Sequence, residues 1–183
     1  TISSEVGERT LREIYLPPVK AAVQEAKPRA VMSAYNKING TWASENPYTL
    51  LDILKGAWEF AGIVMSDWYG TNSVNVANGG LDLEMPGPAR WMGDKVLAAV
   101  KAGEVSEDVI DDKVRRLLRT IIKAGAFEHP EERPEGAVDK PEHRRLAREA
   151  AAEAIVLLKN SGDILPLSPE KLNSIASKGE NAK

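Results

Sequence analysis

The stretch "GIVMSDWYG", residues 62 to 70, begins as a buried strand and ends in a carboxylate flanked by aromatic side chains. Asp67 at that position has two readings. It can cap the turn that follows, because its oxygens accept from amides one to three residues on. It can also carry chemistry, since the indole of Trp68 offers a flat apolar plate for a sugar ring beside a group able to stabilise or attack an oxocarbenium-like carbon. Residue types alone leave both open. Polar groups close two other apolar runs: Tyr35 and Asn36 end "AVMSAYN", and Glu84 and Met85 fall in "LDLEMPG". Glu84 invites a carboxylate pair with Asp67, but a retaining pair needs its carboxyl groups about 5–5.5 Å apart. Nothing in the spacing demands that, so Glu84 reads as a local structural residue. Met32 and Met65, inside apolar runs, read as core.

Other chemistries are excluded by composition. The 183 residues contain no cysteine, which removes thiol catalysis, disulfides and thiolate metal sites. The two histidines, His129 and His143, sit in charged surroundings and read as surface residues. A net charge of −3 with scattered Lys and Arg argues against a nucleic-acid surface. No segment is long and apolar enough to span a membrane, and the first residues lack the basic and apolar regions of a signal peptide, although Thr1 in place of Met leaves room for an upstream segment.

The elements that must position these groups follow from periodicity and punctuation. Ser3 or Ser4 is a plausible N-cap for a helix that Pro17-Pro18 interrupts, with a second short helix running to about Ala26. Ala30 to Asn36 reads as strand then loop, the loop carrying Asn39-Gly40. Asn46 as N-cap and Pro47 as first helical residue start a helix whose buried stripe is Leu50, Leu51, Ile53 and Leu54. A second strand spans Ile63 to Asp67. A short helical pattern then leads to Gly79-Gly80, and "LDLEMPG" reads as a third strand halted by Pro86.

Strand, helix, strand, helix, strand with near-continuous apolar strands implies parallel pairing with both faces covered. An open doubly wound sheet and a closed barrel both fit. Polar groups at successive carboxyl ends favour the barrel, where active sites are assembled at such ends. Three strands cannot close one, so the expected fold class is α/β: the C-terminal part of a (β/α)8 TIM-like barrel.

Beyond the third strand the pattern is helical. Lys95 to Ala102 stops at Gly103, and Ser106 caps an amphipathic helix whose apolar stripe is Ile110, Val114, Leu117, Leu118, Ile121 and Ile122. Arg115, Arg116, Arg119 and Lys123 read as its solvated face. Residues 127 to 138, with two prolines and four glutamates, read as an exposed linker. "EHRRLAREAAAEAIVLLKNSG" reads as one helix stopped by Gly162, "ILPLSPEKL" as entry into a further domain, and "SKGENAK" as a frayed end.

Five ordered blocks, "ERTLREIY", "VMSAYNKING", "SENP", "GIVMSDW" and "GLDLEMPG", resemble glycoside hydrolase family 3, the β-glucosidase type. The resemblance runs from about Glu5 to Leu167, and "EAIVLLKN" with "ILPL" resembles the start of that family's second, α/β-sandwich domain. It implies residues 1–126 as the last strands and helices of the (β/α)8 catalytic domain, 127–140 as a linker, and 141–183 as the start of the α/β-sandwich domain. One local departure is Gly56-Ala57-Trp58-Glu59-Phe60, where the family commonly shows "GEWGF", and it touches packing more than chemistry.

What the resemblance implies about the site is specific. Asp67 matches the nucleophile of retaining enzymes, whose ionised carboxylate attacks the anomeric carbon to give a covalent glycosyl-enzyme that water hydrolyses. Trp68 matches an aromatic wall around the sugar, and Tyr35 a tyrosine able to donate to the carboxylate or to a sugar oxygen. The implied activity is an exo-β-glycosidase, foremost a β-glucosidase, releasing terminal non-reducing glucose from a small β-glucoside or oligosaccharide. A β-xylosidase or another exo-glycosidase of the family is the alternative, and "SDW" argues against the N-acetylglucosaminidase branch. No metal or organic cofactor is implied. In the family the acid/base glutamate belongs to the second domain, outside this chain, so the remaining segments of the same enzyme are expected to complete barrel and site. The isolated 183 residues are then an inactive, non-catalytic fragment. Oligomeric state is left open.

Overall fold

Two parallel strands organise the chain. In the computed structural model, which describes residues 2–132 and 134–179, β2 (Ala30–Ser33) pairs in parallel with β5 (Ile63–Ser66), with Ala30 opposite Ile63 and Ser33 opposite Ser66. The expected third strand is reduced to one bridge between Met65 and Leu83. Asp82 is the cause. Its carboxylate Oδ2 accepts from Val64 N at 2.7 Å, in the place a backbone carbonyl would hold in a regular ladder. Val64 O in turn receives both Asp82 N and Leu83 N, at 2.8 and 3.1 Å.

A small second sheet forms at the carboxyl end of β2. Ser3 and Ser4 do not cap a helix; they form β1 (Ser3–Ser4), parallel to β3 (Lys37–Ile38). β3 returns through Asn39-Gly40 to β4 (Thr41–Trp42). Both turn residues have positive φ, 49° and 83°, as a two-residue hairpin turn requires. The Asn39 amide also fixes the N-terminal segment: Oδ1 accepts from Val6 N and Nδ2 donates to Val6 O.

The N-terminal helix is not broken by its prolines. α1 (Glu8–Thr10) passes through a wide π turn, Leu11–Tyr15, into α2 (Leu16–Ala26), where Pro17 and Pro18 lie in the first turn. The widened turn just ahead of them carries the helical run past two residues that lack an N–H donor. Asn46 caps the next helix as expected, its Oδ1 accepting from Thr49 N, and a π-helix runs over Tyr48–Ala57. α3 (Val76–Gly79), α4 (Asp94–Lys101) and α5 (Glu107–Lys123) follow, the last capped by Ser106 Oγ, which accepts from Val109 N.

The core lies between these helices and one face of the strands: Val23, Leu50, Leu54, Phe60, Val64, Val76 and Leu81, with Val31 packed against them. Strand alternation sends Met32 and Met65 to the opposite face. Met32 is consequently 53% exposed, contrary to its reading as core, and Met65 is half-buried. Asp67 continues the phase of Ile63 and Met65.

α5 also departs from its expected orientation. The face it turns inward is centred on Lys113 and Arg116, whereas Val114, Leu118, Ile121 and Ile122 are exposed. Unpaired carbonyls ahead of β5 account for this. Arg116 donates to Phe60 O and Gly62 O, and Arg119 to Ala61 O, so neither belongs to a purely solvated face.

The chain divides into two compact units, residues 1–132 and 133–183. In the second, α6 (Pro141–Ala154) ends well before Gly162. Residues 155–160 leave the helix where β-branched Ile155 and Val156 begin, residues that favour extended backbone. Residues 180–183 of the polar end, and Arg133 of the linker, lie outside the described residues. Among those described, no helix is long and apolar enough to cross a membrane.

Candidate active site

Asp67 follows β5 directly and opens a four-residue turn. Gly70 N donates to Asp67 O at 3.0 Å, and Tyr69 takes a left-handed conformation, φ 61°, to close it. The turn and the residue after it are held from outside. Tyr69 N donates to Met85 O at 2.9 Å, the buried Ser44 hydroxyl donates to Gly70 O at 2.8 Å, and the Thr71 hydroxyl donates to Glu84 Oε1 at 2.6 Å. A non-glycine residue at positive φ costs free energy, and these bonds are what over-determine it.

The Asp67 carboxylate is anchored by one oxygen. Oδ1 accepts from the Tyr35 hydroxyl at 2.8 Å and from Trp68 N at 2.7 Å. The Tyr35 oxygen also lies 2.9 Å from Trp68 O, but one proton serves one acceptor, and the carboxylate is the stronger. The hydrogen bond to Asp67, then desolvation and the carboxylate's charge, push the Tyr35 phenol above its ordinary value, so it stays a donor. Among the described residues Oδ2 of Asp67 has no partner. Tyr35 and Trp68 are about half exposed, at 52% and 47%.

Glu84 does something else. Besides Thr71 on Oε1, its Oε2 accepts from Trp91 N at 2.9 Å and Met92 N at 2.7 Å. Burial alone raises this carboxyl; the amides of Met92, Trp91 and Arg90 with the Thr71 hydroxyl outweigh burial and hold it below the usual glutamate range. A saturated, 6% exposed anion ties the turn after β5 to the loop of residues 85–92. Ser66 adds a second tie, its hydroxyl accepting from Met85 N at 2.8 Å.

Behind the strands lies an ionic cluster that sequence reading missed. Asp82 Oδ1 accepts from Lys55 Nζ at 2.6 Å, and that ammonium also donates to Gly80 O at 2.7 Å. Lys113, 5% exposed, faces the same carboxylate; burial pushes its amine down to about 8 against the pull of Asp82. The available signal was the pair Asp82 and Glu84 at i and i+2 of an apolar run, since two carboxylates on one buried face require internal partners. Ser44 and Thr71 carried no such signal. Among the described residues, no three His, Asp or Glu side chains cluster as a metal site.

The model for the glycosyl hydrolase family 3 N-terminal domain matches residues 2–120. A β-glucosidase of Rhizobium radiobacter is 51% identical over 183 residues, and β-glucosidase B of Emericella nidulans 49% over 176. They are covered over 22% and 21% of their own lengths by 100% and 95% of this chain. Among solved structures, β-glucosidase 3B from Thermotoga neapolitana, in complex with α-D-glucose, superposes with a TM-score of 0.74 at 40% identity, over 91% of this chain and 24% of that one. The Kluyveromyces marxianus β-glucosidase in complex with glucose gives 0.74 at 40% identity, over 90% and 21%. The chain therefore spans about a fifth of its curated relatives, and with the family model matched over most of its length it belongs to glycosyl hydrolase family 3.

Proposed function

We propose that this chain supplies the nucleophile side of a retaining exo-β-glycosidase, foremost a β-glucosidase that cleaves terminal non-reducing β-D-glucosyl residues. The observation that carries the reading is the divided carboxylate of Asp67, with one oxygen fixed by two donors and the other unengaged. A nucleophile needs that division: Oδ1 is oriented while Oδ2 keeps a lone pair for the anomeric carbon. Attack forms the Asp67–glycosyl ester as the bond to the leaving oxygen breaks. That oxygen takes a proton from an acid outside this chain, and water later releases the sugar. Tyr35 keeps its proton throughout and orients the ester-forming group, while Trp68 walls the sugar. The relatives named above as β-glucosidases support the substrate class.

In this reading residues 1–126 are the final strands and helices of a (β/α)8 barrel. The parallel β2–β5 pair, the bridged segment at Leu83 and helices on only one face support it, and the open face bearing Met32 and Met65 becomes barrel interior. Residues 127–140 are a linker and 141–183 the start of an α/β-sandwich domain. The barrel's remaining strands and the acid come from other segments of the same enzyme, so the isolated chain is inactive.

Treatment of the complete enzyme with a 2-deoxy-2-fluoro-β-glucoside, followed by peptide mapping, tests this. A label on Asp67 supports nucleophile and retaining mechanism together. A label elsewhere, or turnover with no trappable Asp67 ester, overturns the assignment.

A further inference from the structure

At the amino ends of β2 and β5, the end away from Asp67, a cleft of about 380 Å³ opens; its lining residues Arg29 and Gly62 directly precede Ala30 and Ile63. We infer that this cleft binds a ring-bearing phosphate ester of the nucleoside diphosphate class, its phosphates among Lys27, Arg29, Arg119 and Lys123 and its ring on Trp58. The inference is independent of the nucleophile assignment, because binding is read without turnover.

Charge singles the cleft out. Its walls carry those four cations against one carboxylate, Glu59, in a chain whose net charge is −3. A concave wall of one sign focuses the field and draws in the opposite charge. Among the described residues Lys27, Arg29 and Lys123 form no ion pair or side-chain hydrogen bond, and Arg119 uses one N–H, donated to Ala61 O at 3.0 Å. Two ammonium groups and two guanidinium forks match the oxygens of a diphosphate, which arginine engages in pairs.

The backbone around the cleft has the polarity an anion needs. Phe60 O and Gly62 O accept from Arg116, Ala61 O from Arg119, and Arg29 O from Ile63 N at 3.0 Å. The amides of Ala61 and Gly62 have no acceptor among the described residues. Lining carbonyls are thus engaged while lining amides stay free, which favours a negative guest over a cation.

Trp58 sets the rest of the ligand. Its indole is half-buried and packed against the core, so the plate is fixed before a ligand arrives. A flat apolar plate beside an anion site suits a ring carried by the phosphate, and a bare inorganic anion would leave it uncovered.

Isothermal titration calorimetry on the complete enzyme tests this, with ADP, inorganic pyrophosphate and adenosine as probes. ADP is expected to bind at one site per chain, pyrophosphate more weakly, and adenosine without measurable heat. The double variant Arg29→Gln with Lys123→Gln, both side chains being exposed, lowers the affinity for ADP and pyrophosphate about tenfold or more. Trp58→Leu lowers ADP affinity about three- to tenfold and leaves pyrophosphate unchanged. An enzyme that binds no ADP overturns the inference, as does ADP binding that the double variant leaves unchanged, since the anion then sits elsewhere. Equal weakening of ADP and pyrophosphate by Trp58→Leu overturns the ring-bearing ligand.

Discussion

The Tyr35 hydroxyl stands 2.8 Å from Asp67 Oδ1 across the parallel pair β2–β5, joining residues 32 positions apart at the carboxyl ends of neighbouring strands. Register makes the contact. Ser33 opposite Ser66 leaves each strand two or fewer residues from its partner side chain. Removing the hydroxyl while keeping the ring isolates its effect. Tyr35→Phe is expected to lower kcat about tenfold or more, the worth of a hydrogen bond to a charged group, with KM changed far less. Steady-state kinetics on the complete enzyme decide it, and an unchanged kcat would deny Tyr35 a part in orienting Asp67.

The same bond predicts a titration. The phenol of Tyr35 is raised, so the neutral donor is retained below its free-chain value and lost only as pH passes the higher folded value. Subtracting the ultraviolet titration of Tyr35→Phe from that of the unmodified protein should show one tyrosine ionising above the ordinary range near ~10. Ionisation at or below that value would mean the Asp67 contact is not populated.

Glu84 gives a stability prediction with a definite sign. Its carboxyl is lowered on folding, so its contribution is fully present above the free-chain value near ~4.3 and is lost as pH falls through the folded value. Glu84→Ala strands the Thr71 hydroxyl and two amides and is expected to cost about 3 kcal/mol at neutral pH. Glu84→Gln can turn its amide group towards the Thr71 hydroxyl and costs less, and its loss relative to the unmodified protein shrinks as the medium is acidified. Chemical denaturation at several acidic pH values checks this. A Gln variant equally penalised at every pH would show that charge is not what Glu84 contributes.

Lys113 works the other way. Its folded value of about 8 lies below the ordinary lysine value, so the unfolded chain binds the proton more tightly between those limits. The folded state therefore carries a penalty that is complete below pH 8 and disappears as pH rises to the ordinary value. Lys113→Met keeps the buried stem without the charge. It should stabilise the protein by about 2–3 kcal/mol at pH 7, since each tenfold loss of proton affinity on folding is worth about 1.4 kcal/mol, and by much less at pH 10. Denaturant unfolding at the two pH values checks it. A loss of stability on substitution would mean that Asp82 depends on both lysines.

How much of this was legible in the sequence depended on whether the signal was local. The paired strands β2 and β5 and the Asn46 and Ser106 caps were readable because alternation, capping residues and the end of an apolar run lie within a few positions, whereas β1, β3 and β4 were not. Arg116 and Arg119 were misread because their partners, the carbonyls of residues 60–62, lie more than 50 positions away. No pattern on a helix announces a distant unpaired carbonyl. Asp82 displaced a strand ladder for the same reason: its effect rests on Val64 and Lys55, not on its neighbours. The long helix expected through residue 162 failed where local preference, at Ile155-Val156, ran against an apolar periodicity that suits either state.

Gly70 separates geometry from stability at the site. Its φ is not in the left-handed region, so alanine there is not excluded by the backbone, yet the added Cβ would lie 3.2 Å from Asp67 O, 3.4 Å from Tyr35 Cδ1 and 3.5 Å from Asp67 Cβ. Those are the parts that set the Tyr35–Asp67 contact. The neighbours must yield by tenths of an ångström, a small cost for the fold but a direct disturbance of the carboxylate proposed to attack. Gly70→Ala is expected to change stability by less than about 1 kcal/mol while lowering kcat about tenfold or more, because displacements of this order at a reacting group are amplified in rate. Thermal unfolding and kcat measured on the same sample distinguish the two. A stable variant with full activity would show that the turn absorbs the methyl group without moving Asp67, and that close packing at Gly70 is not what holds the carboxylate in place.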